Sequence, residues 1–164
     1  LFNKMKKKIP KNIIFDVDGV MTTGQFLYDD KGKKFKVFGP DDADALKLLN
    51  RFMKITFVSA DSRGFKISKK RITTDMGYKL IKVNSEDRLE WLKKNFKLDE
   101  IIYMGDGIYD HLIMKKIFYS ISTSNSSENA KKFSNFITKR TGGDRAVAEA
   151  CLHILKKFFK FSIS

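Results

Sequence analysis

The chain has 164 residues, 42% hydrophobic and 13% aromatic, with 33 Lys and Arg against 19 Asp and Glu for a formal charge of +14. That length suits one domain with a buried core, and that hydrophobicity excludes disorder of the weakly hydrophobic, highly charged kind. The single cysteine, Cys151, excludes an internal disulfide, and no apolar run nears the roughly 18 residues of a membrane span, so a cytoplasmic protein with no membrane partner is expected.

Residues 1–10, "LFNKMKKKIP", read as a basic tail without the apolar segment of a signal peptide, and 11–164 as one domain. Residues 12–15 form a continuous apolar strand ending at Asp16 and Asp18, and "QFLYDDKGKKFKVF" alternates about a turn at 29–32, which predicts a β-hairpin. "PDDADALKLLNRFM" carries Ala45, Leu48, Leu49 and Phe52 at helical spacing behind an acidic start. The cycle then repeats. "KITFVSAD" is a strand, "RGFKISKKRITTDMG" a helix closed by Gly77, "YKLIKV" a strand, and "SEDRLEWLKKNF" a helix with Ser85 as N-cap. "IIYMGDG", "YSISTS" and "NFITK" are further strands, separated by the helices "YDHLIMKKI" and "SENAKKF" and followed by "GDRAVAEACLHILKKFF". Strict β/α alternation predicts a mainly parallel sheet covered by helices on both faces, a three-layer α/β/α fold of Rossmann-like form, with a β-hairpin after the first strand.

In such sheets ligands bind beyond the carboxyl ends of the strands. The residues expected there are Asp16 and Asp18, Ser59 and Asp61, and Asp106 and Asp110 of "GDGIYD". Asp16 and Asp18, two apart on a strand, face one side, and their repulsion needs an offset. Oxygen ligands alone suit a hard ion, so Mg²⁺ with a phosphoryl group beside it is the expected occupant. The positive charge comes from lysines scattered singly or in pairs and reads as a solvated surface, leaving a nucleic-acid partner as the weaker alternative. Cys151 reads as a core thiol, and His111 and His153 as packing or surface residues.

"DVDGV", "VSAD" and "GDGIYD" together resemble the haloacid dehalogenase superfamily of phosphotransferases. The hairpin and the tail "KRTGGDRAVAEACLHIL" are similar to those of its small capless members, the 3-deoxy-D-manno-octulosonate 8-phosphate phosphatases and relatives acting on nine-carbon sugar acid phosphates. The resemblance implies that Asp16 is the nucleophile and Asp18 the general acid/base, with Ser59 bonding the phosphoryl oxygens. It implies Mg²⁺ held by Asp16, Asp18 through its backbone carbonyl, and Asp106, supported by Asp110. It implies a phosphate-binding cation as well, usually lysine, here either Arg88 or Lys82. Arg140 and Asp42 become candidate substrate contacts.

Further implications are a small phosphorylated sugar substrate, a role in surface-glycan synthesis and a homotetramer in which the hairpin, with Phe26, Tyr28, Phe35 and Phe38, covers the open site. The chain departs from the pattern at Gly107, where a second Asp is usual, and at "GPDDADAL", where an Arg-Asp-Gly turn is usual. A non-catalytic scaffold of the same fold is the alternative function.

Overall fold

The structure is a computed structural model describing residues 8–163, so the expected basic tail lies mostly outside the described residues. Six parallel strands form one sheet in the order β5-β4-β1-β6-β7-β8: β1 (Asn12–Asp16), β4 (Lys54–Ser59), β5 (Lys79–Lys82), β6 (Ile101–Met104), β7 (Tyr119–Ser122) and β8 (Phe136–Ile137). The antiparallel hairpin β2 (Thr22–Asp29) and β3 (Gly32–Phe38) stands apart from it, turning where the alternation predicts. This is the expected α/β architecture.

The central strand is apolar on both faces because helices cover both. Ile13 and Phe15 of β1 face one core, with Ile55 and Phe57 of β4 and Ile102 and Met104 of β6. That core is closed by α1 (Asp42–Leu49), by the turn continuing α2 (Phe65–Lys69) over Lys70–Asp75, and by α6 (Ala146–Phe159). Ile14, Val58, Ile101 and Tyr103 face the opposite core, under α3 (Arg88–Asn95), α4 (Asp110–Met114) and α5 (Glu128–Phe133). Each fully buried Ile or Phe contributes roughly 1.5–3 kcal/mol, so β1, with Ile13, Ile14 and Phe15 fully buried, is firmly anchored to carry a site at its end.

Cys151 is fully buried in the first core, where burial pushes its thiol up. Two local readings need correction. α3 starts at Arg88 rather than after Ser85: residues 85–87 form a turn closed by Asp87 N donating to Asn84 O, and Ser85 caps nothing. Asp18 lies in a wide turn, Val17–Met21, that begins where β1 stops, so the strand rule does not set its direction.

Candidate active site

Parallel pairing places the carboxyl ends of β4, β1 and β6 side by side, with Asp16 opposite Val58 and Phe15 opposite Met104. Asp16, Ser59 and Asp106 therefore meet in one crevice, as the strand ends predict. Asp16 Oδ1 accepts from Val17 N at 2.8 Å and Oδ2 from Arg88 Nη1 at 2.8 Å. Arg88 is 1% exposed and also reaches Tyr103 Oη at 2.7 Å. Asp110 accepts from Tyr103 Oη at 2.6 Å and from Gly107 N at 2.8 Å, so glycine at this departure from the pattern still fixes that carboxylate through its backbone.

Oxygens of Asp16, Asp106 and Asp110 all lie within 4.8 Å of one another. Burial is the main cause that pushes Asp16 up to about 6, against the lowering pull of Arg88. Burial, then the neighbouring carboxylates Asp16, Asp110 and Asp18, pushes Asp106 up to about 8. Carboxylates held so close with proton affinities so high fit a divalent cation with oxygen ligands. Mg²⁺ would take the place of protons there. Its binding is expected to release protons at neutral pH and to tighten as pH rises through about 6 and about 8. Calorimetry in two buffers of different ionisation enthalpy reads this, and an affinity unchanged between about pH 5 and 9 would contradict it.

Asp18 is held apart from that cluster. Its Oδ1 accepts from Lys36 Nζ at 2.6 Å and its Oδ2 from Ser59 Oγ at 2.9 Å. Lys36 comes from β3 of the hairpin, is 1% exposed at its side chain, and also donates to Ser68 Oγ at 2.8 Å and pairs with Asp61 at 2.8 Å. Lys33 pairs with Asp61 as well. Burial raises Asp61, but hydrogen bonds from Lys33 and Lys36 outweigh it and hold that carboxyl well below the usual range. The two motif aspartates thus have separate protein cations, Arg88 for Asp16 and Lys36 for Asp18, and Lys36 adds an offset to their repulsion beyond the expected Mg²⁺ and Arg88.

Gly19 makes the turn possible. Its φ is +85°, and a Cβ on it would overlap the Asp106 carboxylate. Gly142, in the tail motif, is equally tight: a Cβ there would overlap the backbone of Gly19, while Gly143 N donates to Val20 O at 3.2 Å. The "TGG" stretch therefore braces the Asp18 turn from behind. Gly19→Ala is expected to cost at least about 1–2 kcal/mol from the backbone alone and to weaken Mg²⁺ binding by displacing Asp106, read by melting temperature and metal titration. Unchanged metal affinity would contradict this placement.

The remaining candidates lie elsewhere. Lys82 is exposed at the end of β5, makes no ion pair among the described residues and lines a separate surface groove with Asn84 and Lys94, so the buried cation is Arg88. Asp42 is 1% exposed beneath α6, where its Oδ1 accepts from Ala148 N at 2.9 Å and its Oδ2 has no partner. Burial pushes it up to about 6 despite that bond. It acts as a tertiary cap on α6, not as a substrate contact. Arg140 is exposed, its backbone N donating to Glu149 and its side chain 3.8 Å from Asp144, on the rim of an apolar cavity between α1 and α6. His153 packs flat on Phe136 and bonds Tyr119 Oη at 2.9 Å, and His111 bonds Ile108 O, both as expected of packing and surface residues. A surface cavity of about 890 Å³ beside Lys54, Tyr78 and Trp91 opens at the opposite ends of the strands, away from the carboxylates. Sequence reasoning missed Lys36 and Tyr103; the signal for Tyr103 was a hydroxyl-bearing residue in a buried run two places before "GD".

No family model matches the chain. It is 25% identical over 149 residues, 87% of this chain and 78% of the relative, to the 3-deoxy-D-manno-octulosonate 8-phosphate phosphatase of Yersinia pestis. Its fold superposes with a TM-score of 0.78 and 27% identity on the 3-deoxy-D-manno-octulosonate 8-phosphate phosphatase of Moraxella catarrhalis in complex with magnesium, phosphate and KDO, covering 90% of this chain and 86% of that one. A haloacid dehalogenase superfamily (subfamily III A) hydrolase of Legionella pneumophila superposes with a TM-score of 0.80 and 28% identity, covering 92% and 85%. The resemblance drawn from the motifs extends over most of the chain in both sequence and fold.

Proposed function

We infer that this chain, which resembles the capless haloacid dehalogenase phosphatases of the 3-deoxy-D-manno-octulosonate 8-phosphate type, is a Mg²⁺-dependent phosphatase hydrolysing a sugar phosphate. The observation that carries this reading is the pairing of two differently held aspartates at the end of β1. Asp16 sits with Asp106 and Asp110 against a buried arginine, while Asp18 is held by Ser59 and a hairpin lysine.

In this reading a carboxylate oxygen of Asp16 attacks phosphorus, and the bond from phosphorus to the sugar oxygen breaks. The leaving oxygen takes a proton from the Asp18 carboxyl. Asp18, now ionised, takes a proton from water as that water attacks phosphorus and breaks the bond to Asp16, which restores both groups. Arg88 neutralises charge on the transferring group, and its buried Nε, which no protein atom accepts, leaves a donor for a phosphoryl oxygen. Asp16, Asp106 and the Asp18 backbone carbonyl would hold Mg²⁺, supported by Asp110. When bound, the ion supplies charge neutralisation at the phosphoryl oxygens.

The finer substrate we propose is a keto-deoxy sugar acid phosphate, in keeping with the named relatives. The exposed hairpin residues Phe26, Leu27, Tyr28 and Phe35 support a homotetramer in which a second copy covers them, whereas Phe38 packs against the core. Light scattering at the mass of four chains tests that assembly. A cytoplasmic site of action accords with a buried thiol and with no helix, among the described residues, long and apolar enough to cross a membrane.

The functional test is a phosphate-release screen over sugar phosphates, including eight- and nine-carbon keto acid phosphates, with and without Mg²⁺. Mg²⁺-dependent release is expected, fastest from the keto acids. Release from none would favour the scaffold reading; release confined to ordinary sugar phosphates would remove only the keto-deoxy assignment.

A further inference from the structure

Tyr103 is a fully buried residue of β6, just before the Gly105–Asp106 turn. Its phenol donates to Asp110 Oδ1 at 2.6 Å and accepts from Arg88 Nη1 at 2.7 Å. The direct approach of Arg88 to Asp110 is 3.5 Å, beyond the roughly 2.7–3.2 Å of an ordinary N–H···O bond, so the phenol is the bridge between them.

The site makes room for this arrangement: a Cβ on Gly105 would come within 2.6 Å of Tyr103 Cε1. The short hydrogen bonds Arg88 makes with protein side chains, to Asp16 and Tyr103, both run through Nη1, so one corner of the guanidinium is fixed and the rest stays available. A guanidinium is a rigid planar fork whose usefulness depends on its orientation, whereas an ammonium has freely rotating donors.

We propose that Tyr103 is a positioning residue for phosphoryl recognition: by tying Arg88 to Asp110, its phenol sets the angle at which the guanidinium meets a phosphoryl group at Asp16. This rests on the phosphatase reading above. It makes Tyr103 necessary because the cation is an arginine.

The test is a double-mutant cycle read by calorimetric binding of inorganic phosphate in the presence of Mg²⁺, on wild type, Tyr103→Phe, Arg88→Lys and the double variant. Tyr103→Phe is expected to weaken phosphate binding about tenfold in the wild-type background, the weight of one hydrogen bond to a charged group. In the Arg88→Lys background the same change is expected to cost less than about twofold. Melting temperatures identify loss of folding, which would lower binding in both backgrounds alike. An equal loss in both, or no loss in a wild type that hydrolyses sugar phosphates, overturns the assignment of Tyr103 alone. A wild type that neither binds phosphate nor hydrolyses phosphate esters overturns the phosphatase reading and this assignment with it.

Discussion

Asp16→Asn is expected to remove phosphatase activity by a factor on the order of 10⁴ or more while the protein stays folded. The amide keeps the shape of the carboxyl and can still accept from Val17 N, which bonds Oδ1 at 2.8 Å in the native chain. It cannot form a bond to phosphorus of comparable kind. It also removes one charge from a cluster in which Asp106 is pushed up to about 8, which offsets part of the loss of the Arg88 Nη1 bond to Oδ2 at 2.8 Å. Lys82→Ala is the matched control: the residue is exposed and outside the cluster, and its loss is expected to change the rate less than about twofold. Steady-state rates with a sugar phosphate and melting curves on the three proteins make the comparison. Retention of more than a few per cent of activity in Asp16→Asn would remove this residue from the chemistry.

Arg88→Met is expected to damage stability and catalysis by separable routes. Arg88 is the buried cation of the carboxylate cluster, 2.8 Å from Asp16 and 3.5 Å from Asp110. Breaking such a pair by removing one partner costs about 3–5 kcal/mol, because the other charges stay buried without compensation. For a chain of this size that corresponds to a fall in melting temperature of roughly 6–20 °C.

The pH dependence has a definite sign. Burial already raises the folded-state affinity of Asp16 for protons to about 6, and Arg88 pulls it down, so its removal raises Asp16 further. A carboxyl raised in the folded state contributes stability below its unfolded value near 4 and loses it as pH rises through the folded value. The variant's deficit should therefore be small near pH 4 and largest above about 7. Added Mg²⁺ should restore much of the stability, by binding the folded state alone, but not the rate, because in the proposed mechanism the guanidinium also serves the phosphoryl group. Thermal unfolding at several pH values, with and without Mg²⁺, tests this. A deficit independent of pH and of metal would mean that Arg88 stabilises by packing instead.

Element order was legible in the sequence because local signals governed it. Apolar runs alternate with helical spacing, and residues such as Ile13, Ile14 and Phe15 declare a strand covered on both faces. The strand ends then located Asp16, Ser59 and Asp106 without knowledge of any contact. What was not legible depended on long-range placement. Lys36 reaches Asp18 only because the hairpin folds over the crevice, and nothing in the alternation of β3 states where its polar face points. Asp42 is a candidate substrate contact by resemblance, yet it is buried beneath α6 with its Oδ1 accepting from Ala148 N, 106 residues away in sequence. Ser85 had the composition of an N-cap, but the helix begins at Arg88, in the first turn of which that side chain enters the site. Tyr103 is a further case: periodicity sees an apolar ring, while the phenol sits between two charges.

The most direct measurement of the central claim, that the phosphoryl group passes through Asp16, is an acid quench of wild type during turnover of ³²P-labelled sugar phosphate with Mg²⁺. Protein-bound label that is sensitive to hydroxylamine, maps to the peptide containing Asp16 and is absent from Asp16→Asn is the expected result. Steady turnover with no label on the protein, or label at another residue, would contradict it.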